Sequence, residues 1–146
     1  MTELTAEDMT IWHACKTLGD QVTRRVAADI TAASGMSGTD YGVLSRLAEL
    51  GGGRLRQQEL TDSMGLHKGA MSHQLTRMQN RGLLRRERVP GGIDVVLTEQ
   101  GTAALETLRP IHADAVRRHL LDRLAPEDRI ALRRIATALA EAASAD

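Results

Sequence analysis

Between residues 54 and 88 the chain carries Arg54, Arg56, Lys68, Arg77, Arg81, Arg85, Arg86 and Arg88 against Glu59, Asp62 and Glu87. Eight cations against three anions leave +5 there, in a chain whose formal net charge is zero. The remainder is therefore acidic. Positive charge gathered on one segment is the electrostatic footprint expected for a phosphate-bearing partner. An arginine-rich solvated surface gives the same count, so charge alone does not decide.

The order of residues inside that segment is more specific. Met71, Leu75 and Met78 recur at i, i+4 and i+7, one apolar stripe of a helix over 69–81. Lys68, Gly69, Ser72, His73, Thr76, Arg77 and Asn80 fall outside the stripe. A helix with a sealed back and a polar front is what reading base edges in a DNA major groove requires. Lys68, Ser72 and His73 are the candidates for base edges. Gly69 would let the backbone come close, and Arg77 and Arg81 would sit on phosphates. Gln57 and Gln58 open a shorter helix upstream, where side chains and free backbone N–H groups suit a phosphate.

The elements that must position these residues follow from periodicity and turn chemistry. A first helix is predicted over 5–33, with Ile11, Cys15, Leu18, Val22, Val26 and Ile30 as its stripe and Gly35 ending it. Ser37 is the N-cap of a second helix through Glu49, with Val43, Leu44, Leu47 and Leu50 inward. Gly51-Gly52-Gly53 breaks it. A third helix covers 57–64, Gly65 makes the turn, and Gly82 follows the end of the fourth. Leu84–Val89 and Ile93–Leu97 read as a two-stranded hairpin around Pro90-Gly91-Gly92. Thr98 caps a long helix to about Leu124, with a kink or break expected near Pro110. Pro126 opens a last helix with Ile130, Ile135 and Leu139 as its stripe.

Helix, turn, helix and hairpin make a winged helix. The expected fold is mainly α with a small β-hairpin wing: a winged helix-turn-helix core over 36–104, flanked by helical dimerisation regions over 1–35 and 105–146. In the wing, Arg85, Arg86 and Arg88 share a strand, and Arg88, nearest the tip, would approach the minor groove or a flanking phosphate. Charging an exposed strand edge against aggregation would use the same arginines.

Composition agrees with this and excludes other classes. The 146 residues suit one compact unit, 42 % of them hydrophobic and only 1 % aromatic, with no Phe. The core must come from Leu, Ala, Val, Ile and Met. No apolar run approaches the ~20 residues of a membrane span. The first residues are acidic and lack a basic, apolar leader, so a cytoplasmic location is expected. One cysteine permits neither an internal disulfide nor a multi-cysteine zinc site. No glycine-rich phosphate loop, nucleophile elbow or paired-carboxylate motif is present, so neither catalysis nor a cofactor is expected.

The segments Gln58-Glu59-Leu60-Thr61-Asp62-Ser63-Met64-Gly65-Leu66, Leu75-Thr76-Arg77-Met78-Gln79-Asn80-Arg81-Gly82-Leu83-Leu84-Arg85-Arg86, Val96-Leu97-Thr98-Glu99-Gln100-Gly101 and Leu124-Ala125-Pro126-Glu127-Asp128-Arg129 are each short. In this order and spacing they resemble the MarR family of bacterial transcription regulators along nearly the whole chain. The resemblance implies a homodimer with intertwined first and last helices. It implies repression from a pseudo-palindromic operator in double-stranded DNA, relieved by a small aromatic or phenolic effector. Two positions depart from the family pattern: the wing tip is Pro90-Gly91-Gly92, and His67 stands where Ser or Thr often caps the recognition helix.

Four residues are candidates for a sensor site: Trp12, His13, Cys15 and Tyr41. The resemblance extends to hydroperoxide sensors that pair a first-helix cysteine with tyrosines. Cys15 and Tyr41 match part of that pattern, although the chain has a single Tyr. Cys15 also lies on the apolar stripe, where an inert core cysteine is the plainer reading. Trp12 would equally anchor a dimer interface. His112, His119 and Asp122 share a helix face, but their spacing is not that of a strong metal site, and none is expected. Two further readings remain open: a redox regulator acting through Cys15, and a winged helix that binds protein and not DNA.

Overall fold

The computed structural model describes residues 3–144. In chain order the elements are α1 (Ala6–Ser34), α2 (Gly38–Gly51), β1 (Arg54–Arg56), α3 (Gln57–Met64), α4 (Lys68–Asn80), β2 (Leu84–Val89), β3 (Gly92–Leu97), α5 (Glu99–His119), a 3-10 turn at Leu121–Arg123 and α6 (Pro126–Ser144). The fold is mainly helical with one small antiparallel sheet, a winged helix-turn-helix. The chain divides into two compact units: Val26–His112, and Met1–Arg25 together with Ala113–Asp146.

In the unit Val26–His112 the predicted stripes form the core. Val43, Leu44 and Leu47 of α2, Leu60 of α3, and Met71, Leu75 and Met78 of α4 are all fully buried. Leu84 and Val95 of the sheet and Leu105 and Leu108 of α5 are buried with them. Each such side chain stabilises the fold by about 1.5–3 kcal/mol relative to exposure. Ser37 starts α2 through a capping box. Asp40 N donates to Ser37 Oγ at 2.9 Å, and Ser37 N donates to Asp40 Oδ2 at 3.0 Å. Between α3 and α4 the chain turns at Gly65, whose φ of +61° would strain an L side chain.

Several expectations are corrected. The wing is not an isolated hairpin: β1 adds a third strand, in the order β1-β3-β2, with Leu55 opposite Val95. Three residues after a glycine run show no period of their own, so only pairing with β3 defines this strand. Leu50 points outward and is 63 % exposed. The neighbouring Gly51 is the residue that meets β1, because a Cβ there would lie 2.7 Å from Leu55 Cγ. One residue earlier on a helix is about 100° away, which turns Leu50 to solvent. Helix α5 runs through Pro110 but stops at His119, short of Leu124. Arg123 Nε takes the Arg118 carbonyl that residue 122 would need in a continuing helix.

The α1 stripe divides. Val26 and Ile30 are buried and Val22 is half-buried, whereas Ile11, Cys15 and Leu18 are exposed. Cys15 is therefore not a core cysteine within this chain. In α6, Ile130, Ile135 and Leu139 are exposed as well.

The junction of wing and α5 is tight. Thr98 N donates to Leu83 O, Thr98 Oγ1 donates to Gly82 O at 2.6 Å, and Gly101 N donates to Thr98 Oγ1 at 3.0 Å. A Cβ on Gly101 would lie 2.0 Å from Leu83 O, a backbone atom that has no rotamer to escape by. Helix propensity alone favours alanine over glycine by about 1 kcal/mol. The contact reverses that sign: Gly101→Ala is expected to lose at least about 1–3 kcal/mol in urea unfolding. Gly19→Ala, with nothing within 4 Å of the new methyl, is expected to be neutral or stabilising.

Candidate nucleic-acid interface

Burial of Met71, Leu75 and Met78 fixes which side of α4 faces out. Lys68, Gly69, His73, Thr76, Arg77 and Asn80 are exposed and Ser72 is half-buried. His67 occupies the N-cap without a side-chain bond to the helix, so no side chain there closes off the first-turn N–H groups. Arg56 likewise precedes α3 without a side-chain cap. The two glutamines that open α3 differ. Gln58 Nε2 donates to Asp62 Oδ1 at 2.9 Å, while Gln57 Oε1 is buried with no partner among the described residues.

A buried polar network behind α4 was not expected. Gln74 is only 5 % exposed, and its Nε2 donates to Asp40 Oδ1 at 2.6 Å. Arg81 Nη1 donates to Asp40 Oδ2 at 2.9 Å, and Arg77 Nη2 donates to Gln74 Oε1 at 2.7 Å. Asp40 is itself 5 % exposed. Burial pushes its carboxyl up. The Ser37 N–H, the Arg81 guanidinium and the Gln74 amide outweigh burial and hold it below the usual carboxylate range. The signal in the sequence was the Ser37-to-Asp40 capping spacing, which explains the helix start but not the bonds reaching across from α4.

The wing grips α4 from the other side. Arg86 Nε donates to Gln79 Oε1 at 3.1 Å, and its Nη2 donates to Thr76 Oγ1 at 2.9 Å. Arg54 lies 2.9 Å from Glu87 and 3.0 Å from Asp94, and Arg56 lies 3.4 Å from Asp94. Arg85 pairs with Glu87 at 2.9 Å. These bridges are largely exposed and each contributes little to stability. They do spend the charge of three arginines counted in the basic segment. Lys68, Arg77 and Arg88 are exposed and make no ion pair among the described residues.

The profile described as the MarR family matches residues 34–92, the stretch from the end of α1 to the start of β3. AbsC of Streptomyces coelicolor, a MarR family transcriptional regulator, is 32 % identical, with a TM-score of 0.87 over 100 % of both chains. The chain belongs to the MarR family of transcriptional regulators. Sco3205 of the same organism, a MarR family regulator solved in complex with DNA, is also 32 % identical, at TM-score 0.87 over 97 % of this chain and 91 % of its own. A mutant of Escherichia coli MarR complexed with operator DNA shares the fold at 17 % identity and TM-score 0.78, over 94 % of this chain and 99 % of its own. Among curated protein sequences none matches.

The sensor candidates of this MarR-family chain are distributed between the two units. Trp12, His13 and Cys15 belong to the helical unit, where Lys16 Nζ stands 5.7 Å from the Trp12 ring centroid. Tyr41 belongs to the other unit and stacks on His112, with centroids 4.2 Å apart and planes at 20°. A groove of about 700 Å³ at the end of α2 is lined by Ala48, Leu97, Leu105, Glu106 and Arg109 among others, and by none of the four candidates. Among the described residues no three His, Cys, Asp or Glu side chains are placed to hold a metal. The helix face proposed for His112, His119 and Asp122 ends at His119.

Burial lowers the affinity of His112 for a proton, with Glu49 partly opposing it. Burial likewise raises the Tyr41 hydroxyl, helped by Glu49. A histidine depressed in the folded state contributes stability that is full above its unfolded value. That stability is lost as pH falls from about 6.5 through the folded value, because the unfolded chain takes the proton first. His112→Phe keeps a ring on Tyr41 and cannot protonate. It is expected to flatten the fall of thermal midpoint across this range, read by circular dichroism.

Proposed function

We propose that the protein is a dimeric, sequence-specific DNA-binding regulator that seats α4 of each copy in successive major grooves of a pseudo-palindromic operator. The division of α4 carries this reading: Met71, Leu75 and Met78 sealed inside, Lys68, Gly69, His73 and Arg77 outside. Lys68, Ser72 and His73 address base edges, and Arg77, Arg88 and the start of α3 at Gln57 and Gln58 address phosphates. Arg81 and Arg86 border the same surface but already hold partners within the chain. The DNA complex of Sco3205 supports this use of the fold.

The dimer is supported by apolar side chains that one copy leaves in water. Ile11 is 63 % exposed, Trp12 53 %, Ile130 68 % and Leu139 62 %. A dimer that reads both half-sites must hold its two α4 helices about 34 Å apart, one turn of DNA. Repression follows most simply, since a dimer on an operator excludes other proteins. A cytoplasmic location belongs to this reading, and no helix among the described residues is long and apolar enough to cross a membrane.

A small aromatic or phenolic effector would act by binding one spacing of the α4 pair better than another. Tyr41 offers a ring to such a ligand in one unit, and Trp12, His13 and Cys15 are the candidates in the other. The exposure of Cys15 favours a redox route as a second reading. Cys15→Ser abolishing release from DNA by peroxide would establish it, and unchanged release would remove it.

Selection from genomic fragments at two salt concentrations, followed by footprinting, tests the main reading. A protected pseudo-palindrome with steep salt dependence is expected, and no selected sequence at any salt would leave a protein-binding winged helix. On the selected operator, Arg77→Ala should weaken binding to all sequences and reduce the salt slope by about 0.9 for each phosphate no longer neutralised. Ser72→Ala and His73→Ala should alter base preference by about 1–3 kcal/mol per base pair addressed. Gly69→Ala meets nothing within 4 Å in the protein, so the fold should keep its stability while DNA affinity falls.

A further inference from the structure

Asp40 is a nearly fully buried carboxylate that belongs to neither the base-reading nor the phosphate-facing set. Three bonds converge on it: from Ser37 N at 3.0 Å, Gln74 Nε2 at 2.6 Å and Arg81 Nη1 at 2.9 Å. Capping α2 needs only the first. The other two come from Gln74 in the middle of α4 and from Arg81, the residue that follows its last turn. A buried carboxylate without them would be strongly disfavoured, so the bonds hold the middle and the C-terminal edge of α4 against α2. Gln74 passes the constraint on, since its Oε1 accepts from Arg77. Arg81 keeps 45 % of its side chain in solvent, but its charge is met by Asp40.

We propose that Asp40 is a positioning residue for DNA recognition: it neutralises and holds Arg81, so that Arg77 and not Arg81 supplies the phosphate charge of α4, and it locks the rotation of the recognition helix. This rests on the DNA-binding reading above. Its consequence is a trade. A free Arg81 would add a sequence-independent cation beside the groove and raise affinity for any DNA. Tied to Asp40, it gives up that attraction and fixes where Lys68, Ser72 and His73 arrive.

The test is Asp40→Asn in the full chain, measured on the selected operator and on random duplex. The expected result is a salt slope steeper by about 0.9 per site, tighter binding to random duplex at low salt, and a several-fold loss of operator preference. Asp40→Asn with Arg81→Gln should return the slope to the wild-type value, which a merely structural defect would not do. A well-folded Asp40→Asn protein with unchanged slope and preference overturns the proposal. If Asp40→Asn does not fold, Arg81→Gln alone decides: an unchanged slope with reduced operator preference supports the proposal, and a slope reduced as in Arg77→Ala overturns it. If the wild-type protein binds no DNA, the DNA reading fails separately. The lock is then judged by ¹⁵N spectra, in which the Arg81 Nη1 protons should exchange with water more slowly than the Nη protons of exposed Arg88 and lose that protection in Asp40→Asn. Equal exchange in the wild type refutes the lock.

Discussion

Everything at the proposed DNA-facing surface depends on the burial of one edge of α4. Met71, Leu75 and Met78 have no exposed area, so the helix cannot rotate without bringing thioethers and a leucine into water. Hydrophobic packing sets the rotation only coarsely, because methionine is unbranched and adapts to small shifts. The polar bonds at the margins refine it. Gln74 and Arg81 tie one side to Asp40, and Arg86 ties the other to the wing through Thr76 and Gln79. A nonspecific force sets the face, and directional bonds set the angle.

The same separation applies to charge. Counted along the chain, residues 54–88 look strongly basic. Folded, Arg54, Arg56 and Arg85 turn to Glu87 and Asp94 across the sheet. Asp94 lies outside the counted stretch and is brought back by the antiparallel register, opposite Arg56 on one neighbour and Glu87 on the other. The wing thus consumes much of its own charge, while Lys68, Arg77 and Arg88 keep theirs. A linear charge count overstates an interface wherever strands return acids to bases.

What could be read from the sequence was local. α3 begins and ends where periodicity placed it, and α4 starts within one residue, because apolar spacing and Gly65 act over a single turn. Ser37 as the cap of α2 was legible for the same reason. β1 was not, since three residues without alternation become a strand only by pairing with β3, about 40 residues later. The role of Gln74 was hidden likewise: one polar residue beside the apolar stripe looks solvated until Asp40, 34 positions earlier, lies against it. Leu50 failed in the opposite direction, because the stripe of α2 outlasts the surface it packs on.

The helical unit raises the converse question. Its stripes are as regular as those of α2 and α4, yet Ile11, Leu18, Ile130 and Leu139 remain in water in one copy. Scattered apolar residues need no explanation, but aligned ones on two helices forgo stabilisation that burial would supply. If a second copy covers them, as proposed above, part of the folding free energy is deferred to association, and the stability of this unit should be tied to protomer concentration.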